Sequence, residues 1–118
     1  MREGCLLSKK PATILIIEED LPVRELLTEL LQHEGYGVTA VSSGQEALSL
    51  LACAHQLRLI FLDHMMSTIS GSQILALSQI PVVITSSVAV PLKLVGAKSF
   101  LKKPYEIESV LKVVHQYC

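Results

Sequence analysis

Four short runs of polar and charged residues follow apolar segments of this chain, and their side chains suit metal and phosphate chemistry. Three acids, Glu18 to Asp20, follow the first apolar run, and a lone carboxylate, Asp63, follows the third. Hydroxyl groups at residues 85–87 and ammonium groups at residues 102–103 follow the fourth and fifth. Crowded carboxylates repel each other, and a hard dication such as Mg²⁺, which takes oxygen ligands and keeps several waters, relieves that repulsion.

The charges of these side chains indicate what such a site would bind. Glu18, Glu19 and Asp63 bring three negative charges, which one Mg²⁺ ion and one lysine would balance. A nearly neutral site of this kind can accept a dianionic phosphoryl group. Aspartate can act as the nucleophile and form an aspartyl phosphate, and the transfer requires mainly positioning and charge neutralisation.

The apolar runs that precede these polar residues have the pattern of buried parallel strands. Residues 13–17 are apolar on both faces, as expected of a central strand covered on both sides. Ligands collect outside the carboxyl ends of such strands, so the polar runs are expected at one edge of a sheet. The predicted strands are residues 13–17, 38–41, 59–62, a segment within 81–86, and 99–101.

Helical spacing separates the strands. Ser43 and Glu46 form a capping-box pattern, and Asp20 and Gly35 suit the start and end of the first helix. Alternation of strands and helices predicts a parallel sheet covered on both faces, an α/β three-layer sandwich. The predicted buried stripes are Val23, Leu26, Leu27, Leu30 and Leu31 in the first helix, Ala47, Leu48 and Leu51 in the second, and Ile107, Val110, Leu111 and Val114 in the last.

Length and composition limit the classes of function. With 118 residues, half of them apolar, the chain fits one domain, predicted at residues 12–118 after a flexible leader at residues 1–11. A net charge of −1 gives no indication of a nucleic-acid partner, and no apolar run approaches the roughly 18 residues that span a membrane. Three scattered cysteines suggest neither a disulfide framework nor a metal site, which predicts a reduced, cytoplasmic setting.

Four sequence blocks, in order, resemble the response-regulator receiver domain of two-component signalling, in the superfamily of chemotaxis regulators. They read ILIIEED, LIFLDHMMSTISG, IPVVITSS and GAKSFLKKPY. The resemblance implies a flavodoxin-like fold with strand order 2-1-3-4-5. It also implies a non-enzymatic phosphoacceptor that takes a phosphoryl group from a sensor histidine kinase or a phosphotransfer protein and then switches an interaction surface.

The resemblance assigns the metal and phosphoryl chemistry to individual residues. Asp63 matches the phosphorylated aspartate. Glu18 and Glu19 match the acidic pair that binds Mg²⁺, Glu19 more directly and Glu18 through water. Met65 matches the position whose backbone carbonyl completes the metal site.

Three further residues match the switch. Ser86 matches the hydroxyl that bonds the phosphoryl group, with Thr85 as the alternative, and Phe100 matches the aromatic residue whose rotamer follows phosphorylation. Lys103 matches the lysine that pairs with the phosphoryl group, although Lys102 and Lys103 could both be surface charges. The resemblance also predicts a cis bond between Lys103 and Pro104.

Some features depart from the family's pattern and keep other interpretations open. The acidic pair is Glu-Glu, where at least one Asp is usual, and residues 72–80 and 87–95 leave little room for the third and fourth crossover helices. A degenerate pseudo-receiver that binds proteins without phosphorylation is therefore the alternative. The acidic triplet alone also fits a solvated helix start. A homodimer is one way to cover the apolar residues 88–94.

Overall fold

Five parallel strands form one sheet with the spatial order β2-β1-β3-β4-β5. The structure is a computed structural model, and it describes residues 12–53, 56–63, 79–86, 99–103 and 105–118. The strands are β1 (Ile14–Ile17), β2 (Val38–Val41), β3 (Leu59–Asp63), β4 (Val82–Ser86) and β5 (Ser99–Lys102), and the helices are α1 (Leu21–His33), α2 (Gly44–Leu51) and α3 (Ile107–Tyr117).

The apolar runs form strands because they can be buried on both faces of the sheet. All residues of β1, β3 and β4 are buried. The register places Ile17 beside Leu62, and Asp63 beside Thr85. The predicted strand order and parallel direction are therefore confirmed, and the carboxyl ends of β1, β3, β4 and β5 meet at one edge.

Alternate side chains of the strands point to opposite faces of the sheet and pack into two separate hydrophobic cores. On one face, Ile14, Ile16, Phe61 and Val83 pack with buried residues of α1 and α3. On the other face, their strand neighbours, among them Leu15, Leu62 and Ile84, pack around Ala47 of α2. Each fully buried aliphatic or aromatic side chain contributes about 1.5–3 kcal/mol, so the sheet that positions the polar edge is held from both sides.

Helix α1 begins and ends where the sequence predicts, although the details differ. Asp20 is the N-cap, but its side chain makes no capping hydrogen bond, and Pro22 lies in the first turn, where its missing N–H costs nothing. Gly35 follows the helix with a φ of 97°, which favours glycine. Leu26, predicted to face the core, is 60% exposed. At 100° per residue it lies at the margin of the stripe that buries Leu27.

The other two helices follow the same pattern. Ser43 caps α2, because its hydroxyl accepts a hydrogen bond from the Glu46 N–H at 3.2 Å, which confirms one half of the predicted capping box. The Glu46 carboxylate accepts from the N–H of Ser42 at 3.2 Å. In α3, Val110 and Val114 are buried as expected. Ile107, predicted to be buried, is 60% exposed, whereas Val113 is buried.

The cysteines, the absence of a membrane-spanning helix from the described residues and the residues outside the described set complete the comparison with the sequence. The cysteine prediction was wrong in one respect, because Cys53 is disulfide-bonded, whereas Cys118 is free. Within the described part of the chain, no helix is long and apolar enough to cross a membrane. The leader, the two short crossovers with the apolar residues 88–94, and the bond to Pro104 lie outside the described residues.

Candidate functional site

The carboxyl ends of β1, β3 and β5 bring three charged side chains into contact. The Nζ of Lys103 lies 2.7 Å from Oε1 of Glu18 and 3.3 Å from Oδ1 of Asp63. Glu18 directly follows Ile17, which pairs with Leu62, so Glu18 and Asp63 are neighbours across the β1–β3 ladder. Lys103 follows the last residue of β5, which lies two strands from β3 in the sheet. These three residues are far apart in the sequence, and the parallel sheet brings them close together in space.

Both carboxylates are buried, which makes their charge partner essential. Glu18 is 2% exposed and Asp63 is 4% exposed, whereas the Lys103 side chain keeps 18% of its surface. An isolated charge in such surroundings costs several kcal/mol, and pairing offsets that cost. One ammonium group faces two carboxylates, so the cluster favours a further cation or proton.

The pKa values of the cluster respond to this imbalance. Burial raises the pKa of Glu18 above its ordinary value, and the neighbouring Asp63 carboxyl adds to this rise, against the opposing effect of Lys103. Burial alone would lower the pKa of Lys103, but the two carboxylates outweigh it and raise that pKa. The ammonium therefore stays charged at neutral pH.

The backbone around the cluster is fixed by hydrogen bonds. The N–H of Asp20 donates to Oε2 of Glu18 at 3.2 Å, which orients the carboxylate. Nη1 of Arg24 donates to the carbonyl oxygens of Glu18 at 2.8 Å and Glu19 at 3.4 Å. These contacts hold the turn between β1 and α1, so that α1 begins directly beside the cluster.

Both hydroxyl candidates at the end of β4 are buried. Thr85 and Ser86 are each 1% exposed. Thr85 pairs in register with Asp63 and with Leu101, which places it on the same face of the sheet as Asp63. The carbonyl of Ser86 accepts a hydrogen bond from the N–H of Lys103 at 2.7 Å. Ser86 is thus tied to Lys103 through the backbone.

Tyr105 also belongs to this region, although no motif in the sequence indicates a role for it. Its side chain is half-buried against the core under α1 and α3. The nearby Thr85 hydroxyl donates to the carbonyl oxygen of Leu62 at 3.5 Å. Burial raises the pKa of the Tyr105 phenol, with the nearby Thr85 hydroxyl and the Lys103 ammonium acting in the opposite direction. The only signal in the sequence was its place two residues after Lys103.

Of the remaining candidates, the acids that the structure describes lie outside the cluster. Glu19 and Asp20 are exposed. Phe100 belongs to β5, but its side chain is outside the described set, as is the whole of Met65. Among the described residues, no group of three or more carboxylate, histidine or cysteine side chains could by itself hold a metal ion.

The donor chemistry of the site nevertheless fits a hard cation. Oε1 of Glu18 is buried and makes an ion pair with Lys103, yet it has no partner at a hydrogen-bonding angle. Two carboxylates in contact with one ammonium also leave an excess of negative charge. Mg²⁺ binds through one or two carboxylates and completes its shell with water and phosphate oxygens, so Glu18 and Asp63 suffice as its protein carboxylates.

Comparison with known proteins gives the same fold and one family. The family model for the response regulator receiver domain matches residues 14–115. A two-component response regulator of rice, ORR11, is 31% identical over 87% of this chain and 78% of its own length. Another rice regulator, ORR7, is 32% identical over 85% of this chain. The chain spans about half the length of ORR7 and of the Bacillus subtilis regulator YkoG.

Solved structures agree at the level of the fold. The chemotaxis protein CheY4 of Vibrio cholerae superposes with a TM-score of 0.80 and 24% identity, covering 92% of this chain and 99% of that chain. The receiver domain of Ssk1 from Saccharomyces cerevisiae, solved with the phosphotransfer protein Ypd1, has a TM-score of 0.77 and 18% identity and covers 93% of this chain. The family model and the rice relatives show that the chain belongs to the response regulator receiver domain family, and its sheet order agrees with this.

Proposed function

We propose that Asp63 accepts a phosphoryl group from a phosphohistidine, and that this switches a protein-interaction surface. The observation that supports this most is the buried Asp63 carboxylate, 4% exposed, with the Lys103 ammonium 3.3 Å from Oδ1. Membership of the receiver family agrees with a phosphoacceptor role. The proposal makes the chain a signalling module without substrate turnover.

In the proposed transfer, an oxygen of the Asp63 carboxylate attacks the phosphorus atom. The new P–O bond forms as the P–N bond to the donor imidazole breaks, and the electron pair of that bond goes to the imidazole nitrogen. Lys103 neutralises charge on the phosphoryl oxygens as they approach Asp63. A hydroxyl at the end of β4, Ser86 in our proposal, bonds the transferred group, and Phe100 follows it in the switch.

A bound Mg²⁺ ion would neutralise charge on the transferring phosphoryl group. Glu18 and Asp63 would hold it, because they are the paired buried carboxylates of the site. By family resemblance Glu19 and the backbone carbonyl of Met65 would complete the set. Glu18 also orients Lys103, to which it lies 2.7 Å away.

The proposed donor is a sensor histidine kinase or a phosphotransfer protein. The receiver domain of Ssk1, a structural neighbour of this chain, was solved together with the phosphotransfer protein Ypd1. We also propose that this chain acts in the cytoplasm, where it would meet such a donor. The net charge of −1 gives no reason to add a nucleic acid to the partners.

Labelling with acetyl phosphate tests the proposal without knowledge of the kinase. We expect the intact mass to rise by one phosphoryl group in the presence of Mg²⁺ and to stay unchanged when Mg²⁺ is chelated. Asp63→Asn removes the nucleophile and little volume, so this variant should fold and remain unlabelled. Equal labelling of Asp63→Asn and the wild type would refute Asp63 as the acceptor.

One observation favours the pseudo-receiver as the second candidate. Lys103 lies closer to Glu18 than to Asp63, at 2.7 Å against 3.3 Å, so the longer glutamate competes for the ammonium. In a pseudo-receiver this ion pair would be permanent and the fold would bind its partner without phosphorylation. Absence of any mass shift with acetyl phosphate and Mg²⁺, in a folded wild-type protein, would favour this candidate.

A further inference from the structure

Arg24 contacts the acidic turn after β1, and the proposed phosphoryl transfer gives this arginine no role. Its Nη1 donates to the carbonyl oxygen of Glu18 at 2.8 Å and to that of Glu19 at 3.4 Å. The Arg24 side chain is half-buried and belongs to the first turn of α1, and the backbone N–H of Arg24 donates to the carbonyl of Asp20 at 2.9 Å. One guanidinium nitrogen therefore bonds the backbone of both residues of the acidic pair.

These bonds complete a set of contacts that holds Glu18 by its backbone and by its side chain. The N–H of Glu18 donates to the carbonyl of Val41, at the end of β2, at 3.0 Å. The carbonyl of Glu18 accepts from Arg24, and its Oε2 accepts from the N–H of Asp20 at 3.2 Å. The peptide group that joins Glu18 to Glu19 carries the carbonyl that Arg24 binds more closely. Loss of that bond would let this peptide group rotate, and the directions of both acid side chains would change with it.

Charge alone would give Arg24 the opposite effect on a bound cation. A guanidinium beside the acidic turn repels a dication, so removal of its charge would by itself strengthen Mg²⁺ binding. A positioning effect has the other sign, because contacts that orient metal ligands raise affinity, and their loss weakens metal binding about 10- to 100-fold. The sign of the change in Mg²⁺ affinity therefore distinguishes the two effects.

We propose that Arg24 is a positioning residue whose bonds to the carbonyl oxygens of Glu18 and Glu19 fix the Glu18 carboxylate beside Asp63 and so raise the affinity of the site for Mg²⁺. This deepens the proposed function, because it assigns the geometry of the acidic pair to a residue outside that pair. The consequence for Mg²⁺ affinity rests on the proposed metal site, whereas the consequence for the direction of the Glu18 carboxylate does not.

Calorimetric titration with Mg²⁺ measures the consequence for the metal. We expect Arg24→Met to bind Mg²⁺ about tenfold more weakly than the wild type. Arg58→Met is the matched control, since Arg58 is an exposed arginine at the opposite edge of the sheet, and its Mg²⁺ affinity should equal that of the wild type. Unchanged or tighter Mg²⁺ binding by folded Arg24→Met would overturn the proposal.

A second variant decides the question if Arg24→Met does not fold. Arg24→Lys keeps the positive charge but presents no planar fork to the two carbonyl oxygens. It should therefore also bind Mg²⁺ more weakly than the wild type. Wild-type affinity in Arg24→Lys would show that only the charge matters, and this result too would overturn the positioning role.

Hydrogen exchange without metal measures the direction of the carboxylate. The N–H of Asp20 donates to Oε2 of Glu18, so loss of that bond should speed exchange of this amide roughly two- to tenfold in Arg24→Met. The N–H of Tyr36, which donates to the carbonyl of Leu31 at 3.1 Å beyond the other end of α1, is the internal control and should exchange at the wild-type rate. Equal acceleration at both amides would mean that Arg24 only stabilises the fold, which would overturn the positioning role.

The outcomes separate this inference from the proposed function. If the wild type binds no Mg²⁺ but the Asp20 amide still exchanges selectively faster in Arg24→Met, Arg24 positions the carboxylate and the proposed metal site fails. If the wild type binds Mg²⁺ and is labelled at Asp63, while neither Asp20 exchange nor Mg²⁺ affinity depends on Arg24, the proposed function stands and the positioning role is overturned.

Discussion

The two edges of the sheet differ in what they bury. At the carboxyl edge, Glu18 and Asp63 are almost fully buried around the ammonium of Lys103. At the opposite edge lies an open cavity of about 750 Å³, lined by residues that include Tyr36, Gln56 and Arg58. Arg58 and Gln56 are exposed.

This difference shows that the large cavity and the cluster of buried charged groups lie at different edges of the sheet. Buried groups whose pKa values are shifted by each other mark a site for chemistry more directly than cavity volume does. The carboxyl edge holds such groups because parallel strands deliver their following residues to one place. The cavity at the other edge has volume, but the polar side chains of Gln56 and Arg58 that line it are exposed to solvent.

The largest expected effect comes from removing the ammonium group. Lys103→Met leaves two buried carboxylates without their cation, and we expect a loss of about 3–5 kcal/mol in the free energy of unfolding at neutral pH. Urea unfolding measures this loss. Lys102→Met is the matched control, because Lys102 is exposed and precedes Lys103 directly, and it should cost about 0.5 kcal/mol or less. Equal losses of stability in the two variants would show that the ion pairs of Lys103 with Glu18 and Asp63 do not stabilise the fold.

The second effect concerns Mg²⁺ affinity. Glu18→Gln and Glu19→Gln each remove one negative charge from the same turn, but Glu18 is buried beside Asp63 and Glu19 is exposed. We expect Glu18→Gln to weaken Mg²⁺ binding about 10- to 100-fold, the range that loss of a supporting ligand contact produces. Glu19→Gln should have a smaller effect, because the Glu19 side chain is exposed. Calorimetric titration with Mg²⁺ compares them, and a larger effect at Glu19 would reverse the assignment.

The third effect is a dependence of stability on alkaline pH. The folded-state pKa of Lys103 lies above its ordinary value of 10.5, so the folded chain holds this proton more tightly than the unfolded chain. The stability that Lys103 contributes is therefore fully present below pH 10.5 and is lost as the pH rises through the folded-state pKa. The difference in unfolding free energy between wild type and Lys103→Met should shrink across this range. A difference that stays constant would show that the lysine is not paired in solution.

The smallest effect is expected at the opposite edge. Arg58→Gln removes an exposed charge beside the cavity, and its backbone N–H bond to the carbonyl of Thr13 at 2.7 Å does not depend on the side chain. Stability should change by about 0.5 kcal/mol or less, and labelling of Asp63 by acetyl phosphate should not change. A marked loss of labelling would mean that the two edges are coupled.

Strand positions were predictable from sequence because burial on both faces leaves continuous apolar runs. Leu59 and Ile60 mark β3 in this way, and Ser43 with Glu46 marked the start of α2 through local hydrogen bonds. Leu26 shows the limit of such patterns. Periodicity gives the direction of a side chain around the helix axis, but the neighbouring elements determine how much of the helix surface is buried.

Parts of the site were not predictable because they depend on contacts between distant elements. The sequence places Glu18 and Glu19 side by side, and only the fold buries the first and exposes the second. Tyr105 packs against the core under α1 and α3, and no local pattern in the sequence indicates that it lies near the cluster. The association of Asp63 with Lys103 was inferred from family resemblance and from the shared edge of the sheet.

The most direct test of the account locates the phosphoryl group on the chain. After reaction with acetyl phosphate and Mg²⁺, borohydride reduces an aspartyl phosphate to homoserine, and peptide mass spectrometry identifies the modified residue. The account predicts homoserine at position 63 in the wild type and no modified residue in Asp63→Asn. Modification at Glu18 or Glu19, or no modification of a folded wild-type protein, would contradict it.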